Sequence, residues 1–173
     1  VSQNFGRNRG LFCCRTLQMA ELDRIDRKIL DILQRQGRIS MTDLAEQIGL
    51  STSPCSERVR RMERDKVITG YHARVDPAAL GKTLLVFVEI TLSSKSGDVF
   101  DKVRQELLHL PEVMECHLVS GSFDYLVKAR LGGMNEYRHL LGDMLKKLPV
   151  TAQSHSYVVM EEVKESQVLP MDR

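Results

Sequence analysis

At 173 residues, with 42% hydrophobic and 28% charged residues and a net charge of +2, the chain has the composition of a folded protein with room for one large or two small domains. No apolar run approaches the roughly 20 residues that cross a bilayer, and Cys13, Cys14, Cys55 and Cys116 make neither a disulfide framework nor a Cys-x-x-Cys zinc pair, so a reducing cytoplasm is expected. The charge is uneven: residues 1–75 hold 14 Lys and Arg against 9 Asp and Glu, net +5, and residues 76–173 hold 11 against 14, net −3, which suggests a division of labour.

Residues 1–20 show no periodicity and are expected to be a disordered leader, or an upstream extension before a natural start at Met19. Leu11-Phe12-Cys13-Cys14 is too short for the apolar core of a signal peptide. From Leu22 to Gln36 the spacing of Leu22, Ile25, Ile29, Ile32 and Leu33 predicts a helix, with Asp23 as its cap and Gly37 as its stop.

Ser40 to Lys66 reads as two helices joined by a tight turn. Ser40 and Asp43 form a capping-box-like start, and Leu44, Ala45 and Ile48 fall on one face. Gly49 follows the last periodic position, where a helix stops. A second helix is expected from Ser53-Pro54, with Cys55, Val59 and Met62 as its buried stripe. At about 100° per residue, Ser53, Glu57, Arg60, Arg61 and Arg64 face the other way and Arg58 flanks them.

A helix lying in a DNA groove needs small polar residues at its N-terminal end to approach base edges, and arginines along it for phosphates and guanines. Ser51, Thr52, Ser53, Ser56, Glu57, Arg58, Arg60, Arg61 and Arg64 are the expected DNA-facing set. An arginine-bearing face taken alone is more often simply solvated. Its position after a glycine turn and a proline favours a helix-turn-helix. Val67 to Val75 reads as an extended strand or wing, and Asp76-Pro77 through Gly81 as a hinge.

Beyond the hinge the pattern becomes strand, helix, strand, twice over. Leu84–Leu92 is followed by a helix from about Asp98 to Leu110 and a strand over Val113–Val119; a strand from about Asp124 to Leu131 is followed by a helix from about Met134 to Leu148 and a strand over Ser154–Val163. The fold class is therefore α+β: a three-helix, winged helix-turn-helix domain and a C-terminal ferredoxin-like βαββαβ sandwich. The expected boundaries are 21–70 for the first domain, 71–83 for the linker, 84–166 for the second domain and 167–173 for a tail. The sheet face without helices would carry apolar residues and serve as a dimer interface.

Several constellations point away from chemistry. Gly81-Lys82-Thr83 lacks the earlier glycine of a phosphate loop, since Asp76 stands there. Cys116 and His117 are adjacent on a strand and point to opposite faces, so they do not gather a metal with Asp124. No catalytic pair, cofactor or metal site is expected. Ser120-Gly121-Ser122-Phe123-Asp124-Tyr125 exposes backbone amides beside one carboxylate, which suits a zwitterion, although spacing alone describes a plain hairpin turn equally well.

The stretches LDRIDRKIL, GRIS, IGLS, SPCSERVRRMER, LLVFVEITL, ECHLVSGSFDYLVK and YVVMEEVK resemble the Lrp/AsnC family, the feast/famine regulators, over about residues 22–164. The resemblance implies a winged helix-turn-helix joined to an amino-acid-binding domain of RAM or ACT type. It also implies dimers assembling into octamers, operator DNA bent by that assembly, and nucleoid association in the cytoplasm. An effector pocket between neighbouring dimers is implied at Gly121, Asp124, Met134, Tyr157, Val158 and Val159, with Ser120 in the same turn. Leu148-Pro149-Val150 and Ser154-His155-Ser156 depart from the family pattern near that pocket. The effector is therefore open among leucine, proline, alanine and branched-chain amino acids. A ligand-independent, nucleoid-architectural protein is the alternative function.

Overall fold

The computed structural model describes residues 21–171, which form two compact units, one of residues 21–74 with 164–171 and one of residues 75–163. The expected leader lies outside the described residues.

In the first unit, α1 (Arg24–Arg35) begins at Asp23, whose Oδ1 accepts from the Asp26 amide at 2.8 Å while Asp26 Oδ2 accepts from the Asp23 amide at 3.2 Å. Two orphan donors at the helix start are satisfied reciprocally. Ser40 Oγ caps α2 (Met41–Ile48) by accepting from the Asp43 amide at 3.1 Å. The helix stops at Gly49 (φ +75°), a left-handed conformation that costs glycine nothing. Leu50 N–H then returns to the Ala45 carbonyl at 2.9 Å.

The next helix, α3 (Thr52–Arg64), starts two residues earlier than Ser53-Pro54 suggested, with Ser51 in the cap position and making no side-chain cap bond. Pro54 is tolerated there because its nitrogen lies among the first-turn positions that have no intrahelical acceptor. Cys55 N–H makes the first helical bond, to Ser51 O at 3.3 Å. Ile29, Leu30 and Leu33 from α1, Leu44 and Ala45 from α2, and Cys55, Val59 and Met62 from α3 form one buried core. Each large side chain among them contributes about 1.5–3 kcal/mol of burial.

The expected strand across Val67–Val75 does not form; the segment is irregular. The described strands pair with one another in a single sheet, and none pairs with this segment. The segment is instead tied to the end of α3. The Val67 and Ile68 amides both donate to Met62 O, at 2.9 and 3.0 Å, and Tyr71 OH donates to Glu63 Oε1 at 2.9 Å. Residues beyond the second unit also return: Gln34 and the Leu169 backbone exchange two hydrogen bonds, of 2.7 and 3.2 Å, and Met171 packs against the helical core.

The second unit is a four-stranded antiparallel sheet in the order β2-β3-β1-β4, with β1 (Leu84–Leu92), β2 (Val113–Leu118), β3 (Tyr125–Leu131) and β4 (Ala152–Val158). Helices α4 (Gly97–Leu108) and α5 (Met134–Lys147) cover one face. Val86, Val88, Ile90 and Leu92 of β1 and Tyr125, Val127, Ala129 and Leu131 of β3 are buried against Val103 and Leu107 of α4 and Tyr137, Leu140 and Met144 of α5. Strand β4 ends at Val158 rather than Val163. Val159 N–H still bonds Leu85 O at 2.9 Å, but β1 begins at Leu84 and offers no further rungs.

The opposite face is less apolar than expected. Leu85 and Phe87 share it with Glu115–Lys128 (3.0 Å) and Arg130–Glu162 (2.6 Å) ion pairs, and Tyr157 OH donates to Glu89 at 3.2 Å.

Candidate nucleic-acid interface and effector region

Helix α3 presents its polar side as a shallow groove lined by Ser53, Pro54, Ser56, Glu57, Arg58, Arg60, Arg61 and Arg64. Ser51, Thr52, Ser53, Glu57, Arg60 and Arg64 are exposed, and Ser56 is half-buried. The first-turn amides of α3 carry no intrahelical acceptors, so the end bearing the small polar residues also favours an anion. Arg64 has only a loose 3.6 Å contact with Asp65, and its side chain is 72% exposed.

Arg58 and Arg61 line the same groove and also carry ion pairs within the unit. Arg58 Nη1 donates to Asp23 Oδ2 at 2.5 Å and to Asp26 Oδ1 at 2.9 Å, and Arg61 Nη2 donates to Asp26 Oδ2 at 2.5 Å. Both guanidinium groups are thus held against the start of α1. The Asp26 amide and the Arg58 guanidinium hold the Asp23 carboxyl below its usual value, and the Asp23 and Asp26 carboxylates raise Arg58. The Asp26 side chain is 1% exposed. Asp26 is not on the expected stripe of Leu22, Ile25, Ile29, Ile32 and Leu33, but it precedes the buried Ile29, Leu30 and Leu33 by three, four and seven residues, the local signal of its burial.

In the second unit, the turn after β2 places Asp124 in a buried position with both carboxylate oxygens occupied. Oδ2 accepts from the Leu92 amide at 2.8 Å and Oδ1 from Lys95 Nζ at 2.9 Å. Burial opposes ionisation of Asp124, but the Leu92 amide and the Lys95 ammonium outweigh it and hold the carboxyl below its usual value. Ser120 and Gly121 are exposed beside it.

The other expected effector residues lie elsewhere in the unit. Tyr157 and Val158 pair with Phe87 and Val86 near the start of β1, whereas Asp124 precedes Tyr125, which pairs with Ile90 near its end. Four residues of strand, about 13 Å, separate the two groups. Met134 opens α5 three residues beyond Leu131, the partner of Leu84, and so follows the same end of the sheet as Tyr157 and Val158 rather than the Asp124 end. One subunit therefore does not bring its Ser120–Asp124 turn together with Met134, Tyr157, Val158 and Val159. Cys116 and His117 do alternate: Cys116 packs on the helix-covered core, and His117 contacts Glu115 on the other face at 3.3 Å.

Residues 22–69 match the winged helix-turn-helix DNA-binding family, and residues 85–169 match the Lrp/AsnC ligand binding domain. The chain belongs to the Lrp/AsnC family. It is 53% identical over 146 residues, 84% of this chain and 89% of its relative, to the leucine-responsive regulatory protein of Escherichia coli K12, and equally to that of Klebsiella pneumoniae. A solved AsnC family transcriptional regulator from Agrobacterium tumefaciens shares 35% identity with a TM-score of 0.82, covering 86% of this chain and 96% of its own. A transcriptional regulator from Neisseria meningitidis, solved with L-methionine, shares 30% identity at a TM-score of 0.82, covering 87% and 97%.

As an Lrp/AsnC member, the chain is a transcription regulator that joins a DNA-binding helix-turn-helix to an amino-acid-binding domain. No helix among its described residues is long and apolar enough to cross a membrane.

Proposed function

We propose that this Lrp/AsnC regulator reads duplex DNA with the exposed side of α3 and adjusts that binding in response to an apolar amino acid. Ser51, Thr52, Ser53, Ser56 and Glu57 approach base edges, and Arg60 and Arg64 meet phosphates or guanines. The observation that carries the reading is the helix-turn-helix itself: a helix with a buried apolar stripe whose other side exposes small polar residues first and arginines after them. Binding by a homodimer, assembling further to an octamer, gives half-sites spaced by whole helical turns. The setting is the cytoplasm, at the nucleoid.

The effector pocket forms between subunits. Ser120, Gly121 and Asp124 of one meet Met134, Tyr157, Val158 and Val159 of another, and what supports this is the strand length separating the two groups within a chain. Asp124 receives the effector's ammonium by exchanging Lys95, and turn amides receive its carboxylate. Leucine is the first candidate from the 53% identity to leucine-responsive proteins, and methionine the second from the Neisseria relative. Effector and DNA affinity are then coupled reciprocally.

Titration calorimetry with leucine, methionine, alanine and proline, alongside sedimentation, tests this. The expected result is heat and a change in assembly with at least one of them. The occupancy of Asp124 by Lys95 favours the second reading, a ligand-independent architectural protein. No heat and no change in assembly with any of the four would leave that reading standing.

A further inference from the structure

We propose that Asp26 is a positioning residue for DNA recognition, holding Arg58 and Arg61 of α3 out of phosphate contact and so limiting affinity for DNA of arbitrary sequence. The inference rests on α3 being the DNA-reading helix. It goes beyond that reading by dividing the helix's four arginines into two that meet DNA and two that do not.

The geometry supplies the argument. Each oxygen of the Asp26 carboxylate takes one guanidinium, Oδ1 from Arg58 at 2.9 Å and Oδ2 from Arg61 at 2.5 Å, and Oδ2 also accepts the Asp23 amide at 3.2 Å. With a 1% exposed side chain, Asp26 cannot turn to water if an arginine leaves, and the loss would strand a buried carboxylate. Asp23 adds a second carboxylate on Arg58 at 2.5 Å. Two acidic and two basic groups thus neutralise one another, which leaves Arg60 and the loosely paired, 72% exposed Arg64 as the groove's other arginines on α3. Arg61 gives Asp26 its Nη2 alone and Arg58 gives both carboxylates its Nη1 alone, so the pairs fix where the two guanidinium groups sit, against the start of α1, and it is this placement that keeps them from the phosphates.

Affinity for arbitrary DNA comes from phosphate contacts, each adding about 0.9 to the slope of log K against log salt. Withholding two arginines lowers that affinity while leaving base-edge contacts in place, which widens the ratio between an operator and the rest of the genome.

The test measures binding from 50 to 200 mM KCl to a random-sequence duplex and to a duplex selected by the native protein from a random pool. Native protein is compared with Arg60→Gln, Arg61→Gln and Asp26→Asn, each checked for folding by circular dichroism. Arg60→Gln is expected to lower the slope by about 0.9 for each α3 on the duplex, about 1.8 for a dimer, and Arg61→Gln to leave it within error of native. Asp26→Asn is expected to steepen it by about 0.9 for each α3 on the duplex, about 1.8 for a dimer, so that affinity falls about 12-fold more than native across that salt range. It should also tighten random-duplex binding at 50 mM KCl and narrow the ratio between the two duplexes.

An equal slope loss in Arg61→Gln and Arg60→Gln, or an unchanged slope in folded Asp26→Asn, overturns the proposal. If Asp26→Asn does not fold, the two arginine variants decide: a slope loss in Arg60→Gln with none in Arg61→Gln supports the division of the arginines, and an equal loss in both overturns it. If Arg60→Gln, and Arg64→Gln measured beside it in the same way, also leave the slope unchanged, α3 is not the DNA-reading helix, a result distinct from failure of the Asp26 proposal.

Discussion

Replacing Asp124 separates two roles that the structure superimposes on one carboxylate. Its Oδ2 is the acceptor of the Leu92 amide at 2.8 Å, and Leu92 is 3% exposed, so Asp124→Ala leaves a buried N–H without its partner. Such a group costs about 1–3 kcal/mol. The Lys95 pair on Oδ1 is worth less, about 0–1 kcal/mol, because the lysine side chain is 54% exposed. Asp124→Ala is therefore expected to destabilise by about 2–3 kcal/mol, and Asp124→Asn, which keeps an oxygen for Leu92, by about 1 kcal/mol. Lys95→Met should cost under about 1 kcal/mol.

Urea unfolding followed by far-ultraviolet circular dichroism, at one fixed protein concentration because assembly contributes to stability, gives the three values. Calorimetry on the same proteins then reads the effector. Lys95→Met vacates Oδ1 and should tighten amino-acid binding, whereas Asp124→Asn should weaken it. A Lys95→Met loss as large as that of Asp124→Ala would refute the assignment of stability to the Leu92 hydrogen bond. Unchanged amino-acid affinity in Asp124→Asn would refute the ammonium role.

Gly49→Ala should cost about 1 kcal/mol in urea unfolding, because φ is +75° while a new Cβ would meet nothing within 4 Å; Gly49→Asn should cost less. A loss above about 3 kcal/mol would point to packing that this position lacks. Gln34→Ala removes both hydrogen bonds to the Leu169 backbone, and limited proteolysis should then cut the chain beyond residue 164 sooner than in the native protein. Asp23 and Asp124 titrate below their ordinary 3.8, so each contributes stability that is complete above 3.8 and is lost as pH falls through its lower folded value. Acid unfolding of Asp23→Asn/Asp124→Asn should be shallower than native below pH 3.8; superimposable curves would contradict that linkage.

Much of this molecule was legible locally. Asp23, Ser40 and Gly49 announce helix ends because a cap is a contact within three or four residues, and the stripe Cys55, Val59, Met62 announces a buried face because 3.6-residue periodicity is local too. The doubled strand-helix-strand pattern likewise specified the antiparallel sheet with two helices on one side. What needed tertiary structure was the choice among competing partners. An arginine on a helix face can meet water, DNA or a carboxylate, and only the approach of α1, 32 and 35 residues away in sequence, gave Arg58 and Arg61 to Asp26. Val67–Val75 had the composition of a strand, but a strand exists only where another backbone offers bonds, and no described strand pairs with it. Asp124 was visible as a carboxylate on a turn; that Leu92 and Lys95 already hold it depends on the end of β1 folding back, a distance that no spacing in the chain encodes.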